Sequence, residues 1–306
     1  MRILVTGSNG MLGRAVTSAL NSANYEVLNP SRLELNLEDQ LSTSKYFSTN
    51  QFESIVHCAA QVGGISANMA NPIDFLQRNL TIDQNIFLSA LDSKVTNLLY
   101  IGSSCMYPKD RNTPIQEEEI LTGPLEPTNE SYALAKIVGW KNVQLLSTKL
   151  GWRTLVLSNL YGPNDHFEPS RSHLLAAIIH KVHEAKIENI SELEMWGSGA
   201  ARREFTYVSD VAEFIVAVIP RIKEIPNTLN VGAGVDYSVR DYYEMVCEEF
   251  GYHGKIVPNL EKPEGMKRKL MNVSKAKEFG WAPKTGIKDG IKKTVEWYLS
   301  NEMSFK

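Results

Sequence analysis

The chain has 306 residues, of which 43% are hydrophobic and 22% charged, as is typical of a globular protein. Its 32 basic and 35 acidic side chains leave a formal net charge of −3, which provides no general electrostatic basis for binding nucleic acid or an anionic membrane. The three cysteines, Cys58, Cys105 and Cys247, are too few and too far apart for a disulfide framework or a zinc site. No apolar run is long enough to span a bilayer and a strand is predicted from residue 2, so we expect a cytoplasmic protein.

Short apolar runs alternate with longer amphipathic segments in the first half of the chain. Strands are predicted over Arg2–Thr6, Tyr25–Leu28, Ser54–Cys58, Asn97–Gly102 and Arg153–Ser158. Helices are predicted over Met11–Ser22, Glu38–Thr49, Pro72–Ser93 and Thr128–Leu150. Apolar strands separated by helices are typical of a parallel sheet covered on both faces. We therefore predict an α/β fold with a doubly wound parallel sheet of the Rossmann class.

The pattern changes near residue 161, where prolines and glycines punctuate the chain. Helices are predicted over Ser172–Lys186, Asp210–Ile219, Val239–Phe250 and Ile287–Leu299, and short strands over Leu193–Trp196 and Glu204–Val208. We interpret residues 1–160 as a dinucleotide-binding domain and residues 161–306 as mainly a smaller α/β lobe that binds substrate. Some of the later segments are expected to return to the first domain.

A glycine triplet joins the first predicted strand to the first predicted helix. Gly7 permits a tight turn, Gly10 lets the backbone approach a pyrophosphate, and Gly13 allows the helix to pack closely on the strand. The helix N-terminus then offers amide groups to the phosphates. The alternative is an ordinary glycine-rich turn, but the position between a strand and a helix favours a cofactor loop. The predicted loop consists of Gly7, Ser8, Asn9, Gly10, Met11, Leu12 and Gly13.

The end of the second strand indicates which dinucleotide binds. An acidic residue there would hold the ribose 2′-hydroxyl of NAD, whereas a basic residue favours the 2′-phosphate of NADP. No acidic residue follows the strand before Glu34, and Arg32 is either a phosphate ligand or a solvated loop residue. We favour the phosphate ligand and predict NADP(H) as the cofactor.

Tyr132 and Lys136 are four residues apart in a predicted helix, so both side chains lie on one face. That spacing is common by chance, but Ser103 ends a predicted strand at the sheet edge where doubly wound folds bind ligands. A hydroxyl, a phenol and an ammonium group beside a nicotinamide form a carbonyl reductase site. The phenol donates a proton to the developing alkoxide, Lys136 favours the phenolate, and Ser103 polarises the carbonyl.

These motifs resemble those of the extended short-chain dehydrogenase/reductases, and most closely those of the GDP-L-fucose synthases. The resemblance runs from residue 1 to about residue 299. Its segments are GSSCMYP (102–108), LEPTNE (125–130), NLYGPND (159–165), SH (172–173), WGSG (196–199) and REF (203–205). It implies a bifunctional enzyme that epimerises GDP-4-keto-6-deoxy-D-mannose at C3 and C5. The same enzyme would then reduce C4 with NADPH to give GDP-L-fucose.

The resemblance also implies roles for individual residues. Cys105 is the base and His173 the acid of the epimerisation, and Cys105 should lie near positive charge because the thiolate is its reactive form. Implied cofactor contacts are Ile101, Gly102, Ser103, Ser104, Lys136, Leu157, Ser158, Asn159, Leu160 and His173. Implied substrate contacts are Lys181, Trp196, Arg203 and Lys269. Lys181 stands where an arginine is expected, so a bidentate clamp on a diphosphate becomes a point charge.

Other reactive side chains have simpler interpretations. Cys58 and Cys247 are expected to be buried and inert, and His57 to be a hydrogen-bonded strand residue. His180 and His183 suggest a metal site by their spacing, but we interpret them as a solvated helix face and expect no metal.

Several alternatives remain open from the sequence. Trp196 could pack in the core, and Arg203 could form an ion pair instead of binding substrate. The substrate could be a related GDP-4-keto sugar, such as a deoxyheptose or a dideoxyhexose. A non-catalytic NADP-binding module is a further possibility, although it would be expected to lose Tyr132 or Lys136. The two long helices of the first domain resemble the pair through which this superfamily dimerises, so we expect a homodimer.

Overall fold

The computed structural model describes residues 1–109, 111, 113–169, 171–262 and 265–301. Its strands are β1 (Arg2–Thr6), β2 (Glu26–Leu28), β3 (Ser54–His57), β4 (Asn97–Ser103), β5 (Gly151–Leu157), β6 (Asn159–Tyr161), β7 (Glu192–Trp196), β8 (Arg202–Arg203), β9 (Phe205–Tyr207), β10 (Thr228–Val231), β11 (Tyr237–Ser238), β12 (Lys255–Asn259) and β13 (Arg268–Lys269). Its α-helices are α1 (Met11–Ser22), α2 (Gln40–Thr49), α3 (Ile65–Ala70), α4 (Pro72–Asp92), α5 (Glu130–Leu146), α6 (Leu174–Ile187), α7 (Val208–Val218), α8 (Val239–Phe250), α9 (Ser274–Glu278) and α10 (Ile287–Ser300). Among these helices, none combines the length and the apolar character needed to cross a membrane.

Six strands form a central sheet in the order β10-β5-β4-β3-β1-β2, and all five pairs are parallel. Successive residues of β1 and β3 are buried, which requires cover on both faces of the sheet because neighbouring side chains point in opposite directions. Helix α1 packs against α7, and α4 packs between α2 and α5. The predicted doubly wound α/β fold is confirmed.

The later part of the chain forms a second cluster of buried side chains around α6, α8 and α10. Three small sheets accompany it, in the orders β11-β8-β13, β12-β7 and β6-β9. Two later elements belong to the first core, because β10 pairs with β5 and the α7 residue Phe214 packs on Trp281 within the first cluster. The division at residue 160 stays a prediction, and residues 302–306 of the predicted lobe lie outside the described residues.

Strand β10 was not expected from the sequence, and its composition explains why. Thr228 and Asn230 break the apolar pattern that usually marks a buried strand. Asn230 is nevertheless completely buried, since its amide donates to the carbonyls of Ile115 and Asn272 and its Oδ1 accepts from the Tyr107 hydroxyl at 2.5 Å. Tertiary hydrogen bonds therefore compensate for a polar residue in the sheet.

Candidate active site

A cavity of about 770 Å³ opens at the carboxyl ends of the central parallel strands and reaches the later part of the chain. Its wall includes residues of the glycine loop at one end and Lys181 and Trp196 at the other. This is the edge at which doubly wound sheets bind their ligands, because the loops after parallel strands converge there. The predicted cofactor and substrate residues therefore share one cavity.

The glycine loop has the geometry of a phosphate cradle. Gly7 has a φ of +65°, and a Cβ on Gly13 would lie 2.1 Å from the Gly7 carbonyl oxygen, so larger residues are excluded at both positions. At Gly10 a Cβ would approach only that carbonyl, at 3.4 Å, and the backbone there borders the cavity. Helix α1 begins at Met11 without a side-chain cap, so its first amides are available to an anion. These residues fit the pyrophosphate of a dinucleotide.

Arg32 lies on the rim of the same cavity and is largely exposed. Its guanidinium donates to Glu38 Oε1 at 2.8 Å, and Arg78 donates to both oxygens of the same carboxylate. Two guanidinium groups thus converge on Glu38, which borders the cavity together with Arg32, and Arg78 is a candidate that the sequence did not reveal. The Ser8 hydroxyl donates to the carbonyls of Asn29 and Pro30, which fastens the glycine loop to the end of β2.

Ser103, Tyr132 and Lys136 meet at the centre of the cavity wall. Ser103 ends β4, and its Oγ accepts a hydrogen bond from the Cys105 amide at 3.2 Å. Burial raises the pKa of the Tyr132 phenol, Cys105 acts in the same direction, and a hydrogen bond with Ser103 opposes them. Lys136 is 2% exposed, and its ammonium lies 4.2 Å from the centre of the Tyr100 ring. Burial lowers the pKa of Lys136.

The Cys105 thiol lies beside these groups and has two polar neighbours. Asn129 Nδ2 is 3.1 Å and Lys269 Nζ is 3.7 Å from its Sγ. Lys269 is buried, and it provides the positive charge expected beside Cys105. Hydrogen-bond donors and an ammonium group both stabilise a thiolate, which is the form that acts as a base. Asn129 lies in the LEPTNE segment, but its contact with the thiol was not foreseen.

His173 is the residue before α6 and faces the cavity. Burial lowers the pKa of its imidazole, and His166 adds to the shift. Nearby, the buried Asp165 also borders the cavity, and burial raises its pKa to about 7. Asp165 ends the NLYGPND segment and was not expected among the site residues. The free site therefore favours a neutral imidazole and a carboxyl group that titrates near neutral pH.

The predicted substrate residues form the far end of the cavity. Trp196 is 39% exposed, so it does not pack in the core, and the ammonium groups of Lys181 and Lys262 lie 5.5 Å and 5.4 Å from its ring centre. Lys262 was not expected there. Arg203 and Lys269 are paired neighbours in strands β8 and β13, which brings both side chains to one wall.

The Arg203 guanidinium donates to backbone carbonyls in the cavity wall. Its Nη1 donates to the carbonyls of Arg202 at 2.8 Å and Met266 at 2.5 Å. The neighbouring Glu204 carboxylate instead accepts from the amides of Gly234 and Met271. The alternative that Arg203 forms an ion pair instead of binding substrate stays open.

The remaining predicted cofactor residues divide into two groups. Those that border the cavity are Ile101, Gly102, Leu157, Ser158, Asn159 and Leu160. Ser104 does not border it, and its side chain is buried within the short turn Ser104–Met106. The cofactor contact of Ser104 stays a prediction.

Two other expectations need correction. His180 and His183 do not form a solvated face, since both imidazoles contact the Tyr298 hydroxyl, at 3.0 Å and 3.3 Å, and His183 is buried. Cys58 is half-buried and borders the cavity, although burial raises the pKa of its thiol to about 12 and keeps it neutral. In the described parts of the chain, no group of three or more His, Cys, Asp or Glu side chains could hold a metal ion.

A glycine loop and a Ser103, Tyr132 and Lys136 triad at the carboxyl edge of a parallel sheet define an oxidoreductase of the extended short-chain dehydrogenase/reductase class. Residues 3–232 match the model of the NAD dependent epimerase/dehydratase family, and the chain belongs to that family. GDP-L-colitose synthase of Yersinia pseudotuberculosis is 40% identical over 99% of this chain and 99% of its own length. GDP-L-fucose synthase 1 of Arabidopsis thaliana is 40% identical over 98% of this chain and 94% of its length.

A solved structure extends the similarity to the whole fold. The GDP-mannoheptose C4 reductase from Campylobacter jejuni with NADP bound is 30% identical, with a TM-score of 0.87. The alignment covers 97% of this chain and 98% of that chain. The similarity therefore includes the second part of the molecule as well as the central sheet.

Proposed function

We propose that this protein is a bifunctional NADPH-dependent epimerase and reductase that converts GDP-4-keto-6-deoxy-D-mannose to GDP-L-fucose. The observation that carries the proposal is that Cys105, beside Lys269 and Asn129, shares the cavity with Ser103 and Tyr132. A base for proton abstraction thus lies next to a reductase site. The names of the relatives from Arabidopsis thaliana and Campylobacter jejuni support a GDP-linked sugar and NADP.

Cofactor binding is assigned to residues whose geometry suits it. The amides after Gly10 would hold the pyrophosphate, and Arg32 and Arg78 would meet the 2′-phosphate. When bound, the reduced nicotinamide would supply the hydride that the reduction requires. Lys136, on α5 one turn after Tyr132, would lie beside it.

Epimerisation uses the acidity of hydrogens next to the 4-keto group. The Cys105 thiolate removes the proton from C3 or C5, and the electron pair of that C–H bond moves to the ketone oxygen as an enolate. Hydroxyl groups of Ser103 and Tyr132 donate to the enolate oxygen and stabilise its charge. Protonated His173 then returns a proton to the carbon from the opposite face, which inverts the centre. Because burial lowers the His173 pKa, the cationic acid must form on substrate binding or at mildly acidic pH.

Reduction uses the same hydroxyl groups in a second role. As C4 becomes an alkoxide, the Tyr132 phenol gives its proton to the oxygen while the Ser103 hydroxyl remains hydrogen-bonded to it. The phenolate that results is stabilised by the Lys136 ammonium on the same face of α5. Burial raises the pKa of Tyr132, so the phenol is fully protonated and ready to donate.

Recognition of the nucleotide sugar is assigned to the basic end of the cavity. Lys181 and Lys262 flank Trp196 and would together neutralise a diphosphate. The second lysine offsets the loss of the bidentate arginine expected at position 181. Arg203 and Lys269 on the adjacent wall would orient the sugar toward Cys105.

A second candidate is an epimerase and reductase that acts on a related GDP-4-keto sugar. The observation that favours it is the relative from Yersinia pseudotuberculosis, which is named for L-colitose synthesis and is as similar to this chain as the relative from Arabidopsis thaliana. Both candidates use the same residues, and they differ in the substituent at C3. A dideoxy sugar offers Cys105 no inverted centre at C3, so only C5 would be epimerised.

Turnover with defined substrates tests the proposal. The protein is incubated with NADPH and GDP-4-keto-6-deoxymannose in deuterated buffer, loss of nicotinamide absorbance is followed, and the product is identified by NMR. GDP-L-fucose with deuterium at C3 and C5 supports the first candidate. A parallel incubation contains the corresponding GDP-4-keto sugar that also lacks the C3 hydroxyl, and turnover of that sugar alone favours the second candidate. Binding of NADPH without turnover of either sugar would leave a non-catalytic module.

We also propose a cytoplasmic homodimer. Outward apolar residues on the packed helices α4 and α5 form a surface that a second copy would cover, and a base thiol requires a reducing compartment. The surface consists of Leu88, Leu91, Leu134, Val138 and Leu145. Analytical ultracentrifugation should give a dimer that Val138→Glu converts to a monomer, while Leu299→Glu, at an exposed site on α10, leaves it intact. A monomeric parent protein would contradict the proposal.

A further inference from the structure

Four buried polar side chains lie behind the Ser103, Tyr132 and Lys136 site, and of these four only Thr6 borders the cavity. Thr6 Oγ1 is 2.7 Å from His57 Nδ1, and His57 Nε2 is 3.1 Å from Asp83 Oδ1. The Tyr100 hydroxyl donates to the other Asp83 oxygen at 2.5 Å. These residues come from strands β1, β3 and β4 and from helix α4, and each is at most 2% exposed.

The hydrogen bonds among these four side chains are consistent with one placement of their protons. The Ala59 amide donates to Thr6 Oγ1, so the threonine hydroxyl is free to donate to His57 Nδ1. His57 then donates from Nε2 to Asp83 as a neutral imidazole, and burial lowers its pKa in agreement with that state. Asp83 accepts a hydrogen bond at each oxygen, which suits a carboxylate because an anion only accepts. Although burial alone would raise the pKa of Asp83, Lys136 and the two donors hold it below its ordinary value.

The Tyr100 ring connects these side chains to the catalytic lysine. Its hydroxyl binds Asp83, and its face lies 4.2 Å from the Lys136 ammonium. Gly139, one turn after Lys136, keeps the space open, because a Cβ there would lie 2.2 Å from the Tyr100 oxygen and 2.5 Å from Asp83 Oδ2. The lysine is thus packed against groups that are arranged around a buried carboxylate.

The charges around Lys136 can be surveyed element by element. Cys58 on the loop after β3 is a neutral thiol, since burial raises its pKa to about 12, and Tyr100 and Tyr132 are neutral phenols because burial raises their pKa values. In the described part of the chain, the groups whose charge raises the Lys136 pKa are Asp83 and Cys58, and Asp83 is the carboxylate of the two. The titratable groups that face Lys136 or its Tyr132 neighbour are His57, Cys58, Asp83, Tyr100, Tyr132 and Cys105.

We propose that Asp83 is a positioning residue whose fixed negative charge keeps the buried Lys136 protonated, with His57 and Tyr100 holding that charge in place. The proposal rests on the proposed function only in what the protonated lysine is used for. Without a counter-ion, a buried ammonium loses its proton readily. A neutral Lys136 would no longer stabilise the Tyr132 phenolate, and Asp83 acts on the reaction through this lysine alone, without touching substrate.

The first test measures the Lys136 charge directly and needs no substrate. The protein is labelled with lysine carrying ¹³C at Cε, the Lys136 signal is assigned by its loss in Lys136→Arg, and its chemical shift is followed against pH. We expect Asp83→Asn to lower the titration midpoint by about one pH unit or more. The asparagine keeps both hydrogen bonds, accepting from His57 and donating to the Tyr100 oxygen. Asp83→Glu should restore the midpoint.

Two matched variants separate charge from packing. Tyr100→Phe removes the hydroxyl but keeps the ring and the Asp83 charge, so the Lys136 midpoint should change little even if the thermal melt falls. Asp92→Asn, the same substitution at an exposed site on α4, should change neither. If Asp83→Asn does not fold, the smaller Asp83→Thr takes its place, with thermal melts and NADPH titration as checks. An unchanged Lys136 midpoint in the folded variant overturns the proposal.

A kinetic readout links the charge to reduction. In Asp83→Asn the alkaline limb of the pH profile for C4 reduction should move to lower pH by the same amount as the Lys136 midpoint. A purely structural role would lower the rate equally at every pH and would contradict the proposal. If the parent protein reduces no GDP-4-keto sugar, the proposed function fails, while the NMR titration still decides the role of Asp83.

Discussion

Lys269 Nζ lies 3.7 Å from Cys105 Sγ, although 164 residues separate the two side chains in the sequence. Strand β13 brings Lys269 to the cavity through its pairing with β8, and the turn after β4 presents Cys105. An ammonium at this distance stabilises a thiolate and leaves a neutral thiol almost unaffected. The pair therefore connects a reductase framework to a base that can epimerise.

Replacing Lys269 tests that connection. Lys269→Met should lower solvent-deuterium exchange at C3 and C5 by roughly 10- to 100-fold at neutral pH, because the thiolate loses its ammonium partner. The loss should shrink as the pH rises, since alkali forms the thiolate without help. Lys269→Arg keeps the charge and is the control. A loss that is the same at every pH, measured by NMR, would assign Lys269 to substrate binding alone.

Cys105→Ser should uncouple the two reactions. A serine hydroxyl is a far weaker base than a thiolate, so deuterium exchange at C3 and C5 should fall by roughly 100-fold or more. Ser103, Tyr132 and Lys136 remain in place, and the unepimerised ketone can still be reduced. The product, identified by NMR, should shift to a GDP-6-deoxyhexose of the starting configuration. Parent-like yields of GDP-L-fucose would show that another base acts.

His173→Gln should give a different pattern, because it removes the acid and not the base. Deuterium should still enter at the carbon next to the ketone, but completed inversion should fall, and the two carbons are compared by NMR. Burial and His166 lower the pKa of His173 below its ordinary value of 6.5, so inversion by the parent protein should decline as the pH rises through the mildly acidic range. Equal losses of deuterium exchange in His173→Gln and Cys105→Ser would contradict separate acid and base roles.

Tyr132→Phe should lower the rate of C4 reduction by roughly 1,000-fold while NADPH binding stays nearly intact, since the variant removes the proton donor but little side-chain volume. Fluorescence titration measures the binding, and nicotinamide absorbance measures the turnover. Asn142→Ala, at an exposed site on the same helix and outside the proposed dimer surface, is the control. Retained turnover in Tyr132→Phe would show that a different group protonates the alkoxide.

The folding stability should depend on pH through Asp165. Burial raises its folded-state pKa from 3.8 to about 7, so its protonated form stabilises the fold at low pH and that contribution is lost as the pH rises through about 7. Between about pH 5 and pH 8, the free energy of unfolding should therefore fall by about 2–3 kcal/mol less in Asp165→Asn than in the parent protein. Glu204, whose pKa burial also raises to about 7, should leave a residual slope. Denaturant melts at several pH values measure the slope of the unfolding free energy against pH. An unaltered slope in Asp165→Asn would argue against the assignment of this pH dependence to Asp165.

The sequence by itself determined the features that depend on neighbouring residues. The glycine spacing at Gly7, Gly10 and Gly13 and the Tyr132 and Lys136 spacing are local, because a turn and one helix face each lie within a few residues. Apolar runs also predicted α1 and the long helix α4 nearly to their observed ends. For these features, backbone geometry and hydrophobic periodicity are sufficient.

The tertiary structure alone decided which distant groups meet. Strand pairing placed Lys269 beside Cys105, and the packing of α4 and α5 against the sheet placed Asp83 near Lys136. Their effects depend on distance and burial, which a linear pattern of residue types does not contain. Asn230 shows the same limit within the sheet, because long-range hydrogen bonds alone make a polar residue acceptable in β10.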